Sequence, residues 1–467
     1  MGGVESSEKP RLKPTLTLRL LVDRMRDKVV LAEAGKDFVD VLFSLLTLPM
    51  GTIVRLLEKH KQNQMSQGIV IGCFNNLYKS VLEMDIINFT TETSKQMLLL
   101  PRSLTEKKCR RLKLNLYDTD VLKYYMCRNS GEKLRCSKVY SNFRSSRCSC
   151  GELMRTEFIQ APGLEEDHDE IFASGQTSFI ISDDMKVNLN SIGITMLTLK
   201  GLGYADVGKL HEMVVNVGTE EVLGLLKCLF SSKTSLTDVF LRKQISSVMT
   251  RTPNMPSLVA QGKPVGTSES NDVLSVTLYV RKQDKKVLYA ESNEDFVDLL
   301  FTFLVVPLEY VRELSGSRIM LGCIENLYKS FKNLSFTRMT HVLTSRCMLP
   351  WYYSCQRPLL DVCYQKCLKR LNLRKGSQCY LLSAMDPKSD YIVEPEPKAP
   401  HCSGFVKRGS TFLISNDLTV TASNSCSTIS LLKKLNTDLY EIEEQVISIS
   451  EGEAINLLKA SLVTSTP

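Results

Sequence analysis

The chain has 467 residues, 43% of them hydrophobic and 24% charged, and its 59 Lys and Arg against 51 Asp and Glu leave a formal charge of +8. That make-up excludes a disordered chain, a collagen and an integral membrane protein, and the length suits several domains, each able to bury a core. The charge excess is mild and local runs carry both signs, Lys107, Lys108, Arg110 and Arg111 against Glu165, Glu166, Asp167, Asp169 and Glu170, so nucleic acid is a disfavoured partner.

Residues 1–14 read as a disordered tail, with no apolar stretch before a cleavage site and hence no expected leader. Gly2 and Ser6 fit a loose N-myristoylation pattern, with Lys9, Arg11 and Lys13 supplying positive charge nearby. Fifteen cysteines without a leader predict reduced thiols and a cytoplasmic or nuclear address. Apolar runs such as Phe38 to Leu48 fall well short of the ~20 residues of a spanning helix.

Leu16, Leu18 and Leu20 alternate with polar residues, and after a polar turn Val29 to Leu31 complete a predicted hairpin. Phe38, Leu42, Leu45 and Leu46 then recur at helical spacing, predicting a helix with one stripe on a core and a stop at Pro49. Asp37 and Asp40 fall in its first turn, where the helix dipole favours negative charge, which accounts for the pair without catalysis. Leu77, Tyr78, Val81 and Leu82 predict a further amphipathic helix, with Tyr78 at a core edge and Lys79 in solvent. Phe179 to Val187, around Asp183 and Asp184, reads as a second hairpin. A helix ending at Gly203, a strand over Met213 to Val217 and a helix over Glu220 to Leu229 follow.

The same series occurs again. Asp37 to Phe43 recurs as Asp295 to Phe301, Gly72 to Ser80 as Gly322 to Ser330, and Thr177 to Asp184 as Ser410 to Asp417. Residues 15–245 and 273–467 are therefore expected to be tandem homologous domains, joined by a flexible linker over 246–272 that is rich in Pro, Gly and Ser. Hairpins mixed with amphipathic helices imply an α+β fold with mainly antiparallel sheet. In the second copy Ser292 and Asp295 have capping-box spacing, and Asn436 replaces Gly203 as the helix stop. Nothing in that copy matches Leu236 to Leu241, so its last element is expected to be incomplete.

Ala32-Glu33 ahead of Asp37 to Phe43, the prolines Pro49 and Pro307, the Gly-Cys-x2-Asn-Leu-Tyr-Lys-Ser segments and the late Leu225-Leu226-Lys227-Cys228-Leu229 resemble the plant domain-of-unknown-function family numbered 674. The resemblance covers nearly the whole chain, twice. It implies a land-plant protein and supplies no activity, substrate or catalytic residue.

Gly203 to Leu210 has the glycine and lysine spacing of a phosphate-binding loop, but Leu210 stands where magnesium needs a hydroxyl and Asp206 would oppose the phosphates. His60, His168, His211, His341 and His401 are scattered, and no nucleophile elbow is present, so no catalytic residue is nominated. Cys127, Cys136, Cys148 and Cys150 are the one cluster above background. Four thiolates would hold a structural zinc, Gly151 would let backbone amides turn toward sulfur, and a polar segment without apolar burial needs such a clip. The second copy has only Cys379 and Cys402 there, beside His401, while Cys363 and Cys367 have helical spacing and read as core-facing thiols. The sequence thus predicts a non-enzymatic interaction module with protein partners and a candidate zinc. The alternatives are an enzyme with its site in the cleft between the copies and, more weakly, a zinc-assisted nucleic-acid binder.

Overall fold

The computed structural model describes residues 14–64, 70–128, 139–148, 150–160, 171–173, 178–242, 273–315, 321–335, 348–355, 360–365, 370–375, 378–389, 403–435 and 438–467. Residues 1–13 of the tail, the linker, the acidic run 165–170, Cys136, Cys367, Cys402, Asn436, His168, His341 and His401 lie outside them. The amino-terminal half begins with β1 (Leu16–Asp23), β2 (Lys28–Ala34), α1 (Lys36–Leu46), α2 (Met50–Gln64), α3 (Phe74–Glu83), α4 (Glu92–Leu99) and the single turn α5 (Glu106–Cys109). Short strands β3 (Tyr124–Cys127), β4 (Val139–Tyr140) and β5 (Met154–Gln160) precede β6 (Phe179–Ser182), β7 (Val187–Leu189), α6 (Ile192–Gly201), β8 (Leu210–Val217), α7 (Thr219–Ser231) and α8 (Ser235–Phe240). The carboxy-terminal half starts with β9 (Leu274–Arg281), β10 (Val287–Ser292), α9 (Glu294–Val305), α10 (Leu308–Ser315) and α11 (Ile324–Ser335). It continues through β11 (Met348–Leu349), β12 (Cys363–Tyr364), β13 (Arg370–Lys375), β14 (Gln378–Ala384), β15 (Phe412–Ser415), β16 (Val420–Ala422), α12 (Ser425–Leu435), β17 (Ile442–Ile449) and α13 (Glu451–Val463).

The chain is α+β with mainly antiparallel strands. Two five-stranded sheets have corresponding orders, β7-β6-β2-β1-β8 and β16-β15-β10-β9-β17. Alternation along β1 and β9 turns Leu16, Leu18, Leu20, Leu274 and Val276 into one hydrophobic core that runs through both halves. Helices α1 and α9 differ from the expected single stripe: Phe38 to Leu46 and Phe296 to Val305 are buried at every position. Each lies between its own sheet and helices of the other half, α1 against α10 and α11, α9 against α2, α3 and α4. The Phe43 and Phe331 rings meet edge-on at 5.4 Å across this contact.

The two halves grip one another reciprocally. Helix α3 packs on β16, and α11 on β7. Asn76 donates to Asp417 O at 2.9 Å and Asn326 to Asp184 O at 2.8 Å. Ser80 Oγ accepts from Val420 N, and Ser330 Oγ from Val187 N, each at 2.9 Å, so the inner edge of each sheet is satisfied by a hydroxyl of the other half. Cys73 N donates to Ser461 O at 2.8 Å and Cys323 N to Leu229 O at 3.0 Å. The preceding glycines are at φ +48° and +42°, and a Cβ would lie 2.0 Å from Ser461 O or 2.2 Å from Leu229 O, so positions 72 and 322 accept no side chain. Pro49 and Pro307, read as helix stops, also bridge one another, with Met50 N donating to Val306 O and Leu308 N to Leu48 O, both at 3.0 Å.

Three local expectations are corrected. Asp40 is buried and takes no part in capping: its Oδ1 accepts from Phe172 N at 3.2 Å and Ala173 N at 2.7 Å, whereas Asp37 faces solvent and pairs with Lys113. Ser292 and Asp295 form no capping box, because α9 starts one residue later with Asn293 as its cap residue. Cys363 lies in β12, not on a helix, since Met348-Leu349 draws that segment into a parallel pair.

Candidate metal centre

A third sheet, ordered β3-β5-β13-β14-β4, takes strands from both halves. The amide of Tyr125 donates to Ser141 O at 2.8 Å and that of Ser141 to Tyr125 O at 2.9 Å, which brings β4 back beside β3 and closes the five strands on themselves. The strands alternate between two apolar clusters. Met126, Tyr140, Phe158, Leu382 and Ala384 form one. Cys127, Val139, Cys148, Met154 and Met385 form the other, with Tyr125 and Cys150 packed against it.

The second cluster is shaped by two local irregularities. The β3–β5 register shifts between Met126 and Cys127, a bulge that re-aims the Cys127 side chain. Residues 146–148 and 150–154 fold back on one another: Met154 N donates to Ser146 O at 2.9 Å, Cys148 N to Glu152 O at 2.8 Å and Gly151 N to Cys148 O at 2.8 Å. Gly151 adopts φ +86°, a conformation that suits glycine. Its amide closes the turn on a carbonyl, so the glycine positions the thiols through the backbone.

Cys127, Cys148 and Cys150 come together with their sulfurs all within 4.8 Å of one another, and Cys127 Sγ lies 3.6 Å from Cys150 Sγ. Tetrahedral coordination by bonds of about 2.3 Å places sulfurs about 3.8 Å apart, so the spacing fits a zinc-sized ion. Cys127 and Cys148 are buried, Cys150 is half-buried, and none of the three is in a disulfide. Cys136, the fourth cysteine of the sequence cluster, lies outside the described residues. These three cysteines could hold a metal ion. Sequence reasoning confined to residues 127–150 missed Met385, which the second half contributes to the wall behind them.

The family model described as "Protein of unknown function (DUF674)" matches residues 12–452. The chain belongs to that family. No curated protein and no solved structure matches it.

Elsewhere in this DUF674 chain the eye-catching ionisable groups have structural partners. Asp298 repeats the arrangement of Asp40, with Oδ1 accepting from Phe405 N at 2.8 Å and Val406 N at 3.1 Å. Burial pushes Asp40 up to about 6 and Asp298 up to about 7, against the lowering by those amides. Tyr78 donates to Leu99 O at 3.2 Å, while the exposed Lys79 lies 3.7 Å from Glu83. Asp206 accepts from Gly208 N at 2.9 Å, occupying an amide that a phosphate in the 203–210 loop would need. Buried His60 lies 3.0 Å from Glu220, while His211 is exposed on β8. A pocket of about 560 Å³ between the halves is lined, among the described residues, by Ile87, Phe89, Thr90, Ser403, Gly404, Lys407 and Arg408. No helix of the described residues is long and apolar enough to cross a membrane.

Proposed function

We propose that this DUF674 chain is a non-enzymatic interaction module of the cytoplasm or nucleus, built from two copies of one unit, residues 15–245 and 273–467. In this reading Cys127, Cys136, Cys148 and Cys150 of the first copy hold a structural zinc. The observation that carries the reading is the convergence of three sulfurs at coordination spacing. Cys136 belongs to the segment between Cys127 and Val139, and both of those residues line the sulfur cluster. The matching sheet orders and the reciprocal contacts of the Gly-Cys-x2-Asn-Leu-Tyr-Lys-Ser segments support the two-copy reading. Because Met385 lies in the same cluster, a metal there would order the first-copy segments against which the second copy packs.

A protein partner is supported by α6, whose sequence is apolar on all sides although only Leu199 is buried. Ile192 is 83% and Leu197 71% exposed, and Val214 on the neighbouring strand β8 is 64% exposed. A helix without a polar face is ordinarily covered on both sides.

Metal analysis of the purified full chain is expected to find an equivalent of zinc, with C148S and C150S binding little. Chelation should lower the melting temperature by about 5 °C or more, as loss of a few kcal/mol implies. Less than half an equivalent in the wild type would end the zinc reading.

A further inference from the structure

We infer that Cys127 and Cys150 form an oxidation site, at which a hydroperoxide closes a disulfide. The inference rests on the zinc reading in one respect only: with both sulfurs withdrawn from the metal, Cys148 and Cys136 alone would be left to hold it.

The geometry favours this pair. Their sulfurs are 3.6 Å apart, so disulfide closure needs a shift of under ~2 Å to reach a bond of about 2.05 Å. Cys150 sits half-exposed where residues 146–148 and 150–154 fold back on one another, next to a glycine at φ +86°, where an oxidant reaches it first and the turn can yield. Cys127 is buried behind it, on a strand, as a resolving thiol. Among the described residues no other group of three His, Cys, Asp or Glu side chains converges in this way. Other buried thiols are disfavoured as targets: burial pushes Cys73 and Cys228 up to about 12 and Cys109 and Cys323 up to about 11, so they stay protonated.

The chemistry balances with hydrogen peroxide as oxidant. The Cys150 thiolate attacks one peroxide oxygen, the O–O bond breaks, an S–O bond forms, and the departing hydroxide takes a proton to become water. The sulfur is oxidised to a sulfenic acid and the peroxide is reduced. The Cys127 thiol then attacks the Cys150 sulfur, the S–S bond forms as the S–O and S–H bonds break, and the departing hydroxide takes the Cys127 proton to leave as water.

The test uses the reduced, metal-loaded full chain carrying C426S, which removes an exposed thiol that would consume oxidant. After stoichiometric hydrogen peroxide, remaining thiols are alkylated, the chain is digested and disulfide-linked peptides are mapped, while a chromophoric indicator follows released zinc. A Cys127–Cys150 linked peptide rising in step with zinc release, both reversed by dithiothreitol and added zinc, is the expected result. Alkylatable Cys127 and Cys150 at a point where other thiols have been lost, or a link from Cys150 to a different cysteine, would overturn the inference. A chain purified without metal that still forms the same link upholds the oxidation site and removes the zinc reading, so the two failures are distinguishable.

Discussion

The twin sheets and the ring of short strands both draw on the two halves of the chain, on opposite terms. In the twin-sheet body each contribution is answered by its counterpart: Asn76 by Asn326, Ser80 by Ser330, Cys73 by Cys323, Pro49 by Pro307. In the ring the halves give different things, three strands and a thiol cluster from the first, two strands and Met385 from the second. Reciprocity of the first kind is what closure about a two-fold requires, and it explains residues by fold alone. The unequal region is the one in which the three sulfurs converge.

The largest expected effect tests the reciprocity. G72A and G322A each place a Cβ against a backbone oxygen that cannot rotate away, in addition to the left-handed backbone, and each should cost at least about 3 kcal/mol in denaturant unfolding. Similar losses from the two variants would sharpen the comparison; a tolerated alanine at one position would break it.

A second expectation concerns the paired buried carboxylates. Their folded pKa values, about 6 for Asp40 and about 7 for Asp298, lie above the unfolded value. Between about pH 4 and pH 7 the unfolded chain has released these protons and the folded chain still holds them, so stability falls as pH rises through this window and levels off above it. D298N should flatten that fall by an amount on the order of a few kcal/mol, and D40N by less, measured as unfolding free energy at pH 4.5 and 7.5. Identical slopes in wild type and D298N would refute the assignment.

The smallest effect probes where the halves part company. Asp183 accepts from Thr237 N at 2.9 Å and Thr237 Oγ1 at 2.8 Å, and the same hydroxyl accepts from Val29 N at 2.9 Å, so α8 is latched to the first sheet. Asn416 stands in the equivalent place, and among the described residues no helix matches α8 there. D183N should cost about 2 kcal/mol, and N416D should change stability by no more than about 0.5 kcal/mol.

Much of the local structure was legible because it depends on neighbours in sequence. Alternation gave β1, β2, β9 and β10, helical spacing gave α1, α3, α9 and α11, and Gly203 does adopt φ +81° at the end of α6. Asp183, which anchors α8, reads in the sequence only as a turn residue. The hairpin turns fall at Asp183-Asp184 and Asn416-Asp417 as expected; Met185 and Leu418 take the positive φ, at +65° and +58°, while Asp184 and Asp417 accept from the hydroxyls of Ser182 and Ser415, each at 2.5 Å. Helix α2 went unpredicted because its start directly follows a proline that was read only as a stop.

By itself the sequence determined the repeating order of strands and helices, the α+β class and the nomination of four cysteines, since periodicity and spacing are properties of short stretches of chain. Only the tertiary structure decided that α1 and α9 are buried all round, that the Gly-Cys-x2-Asn-Leu-Tyr-Lys-Ser residues serve the opposite half, and that Cys127 meets Cys148 and Cys150 against a methionine more than 200 residues away. Those facts arise from contacts between segments remote in sequence, and no local pattern records which distant backbone a side chain will meet.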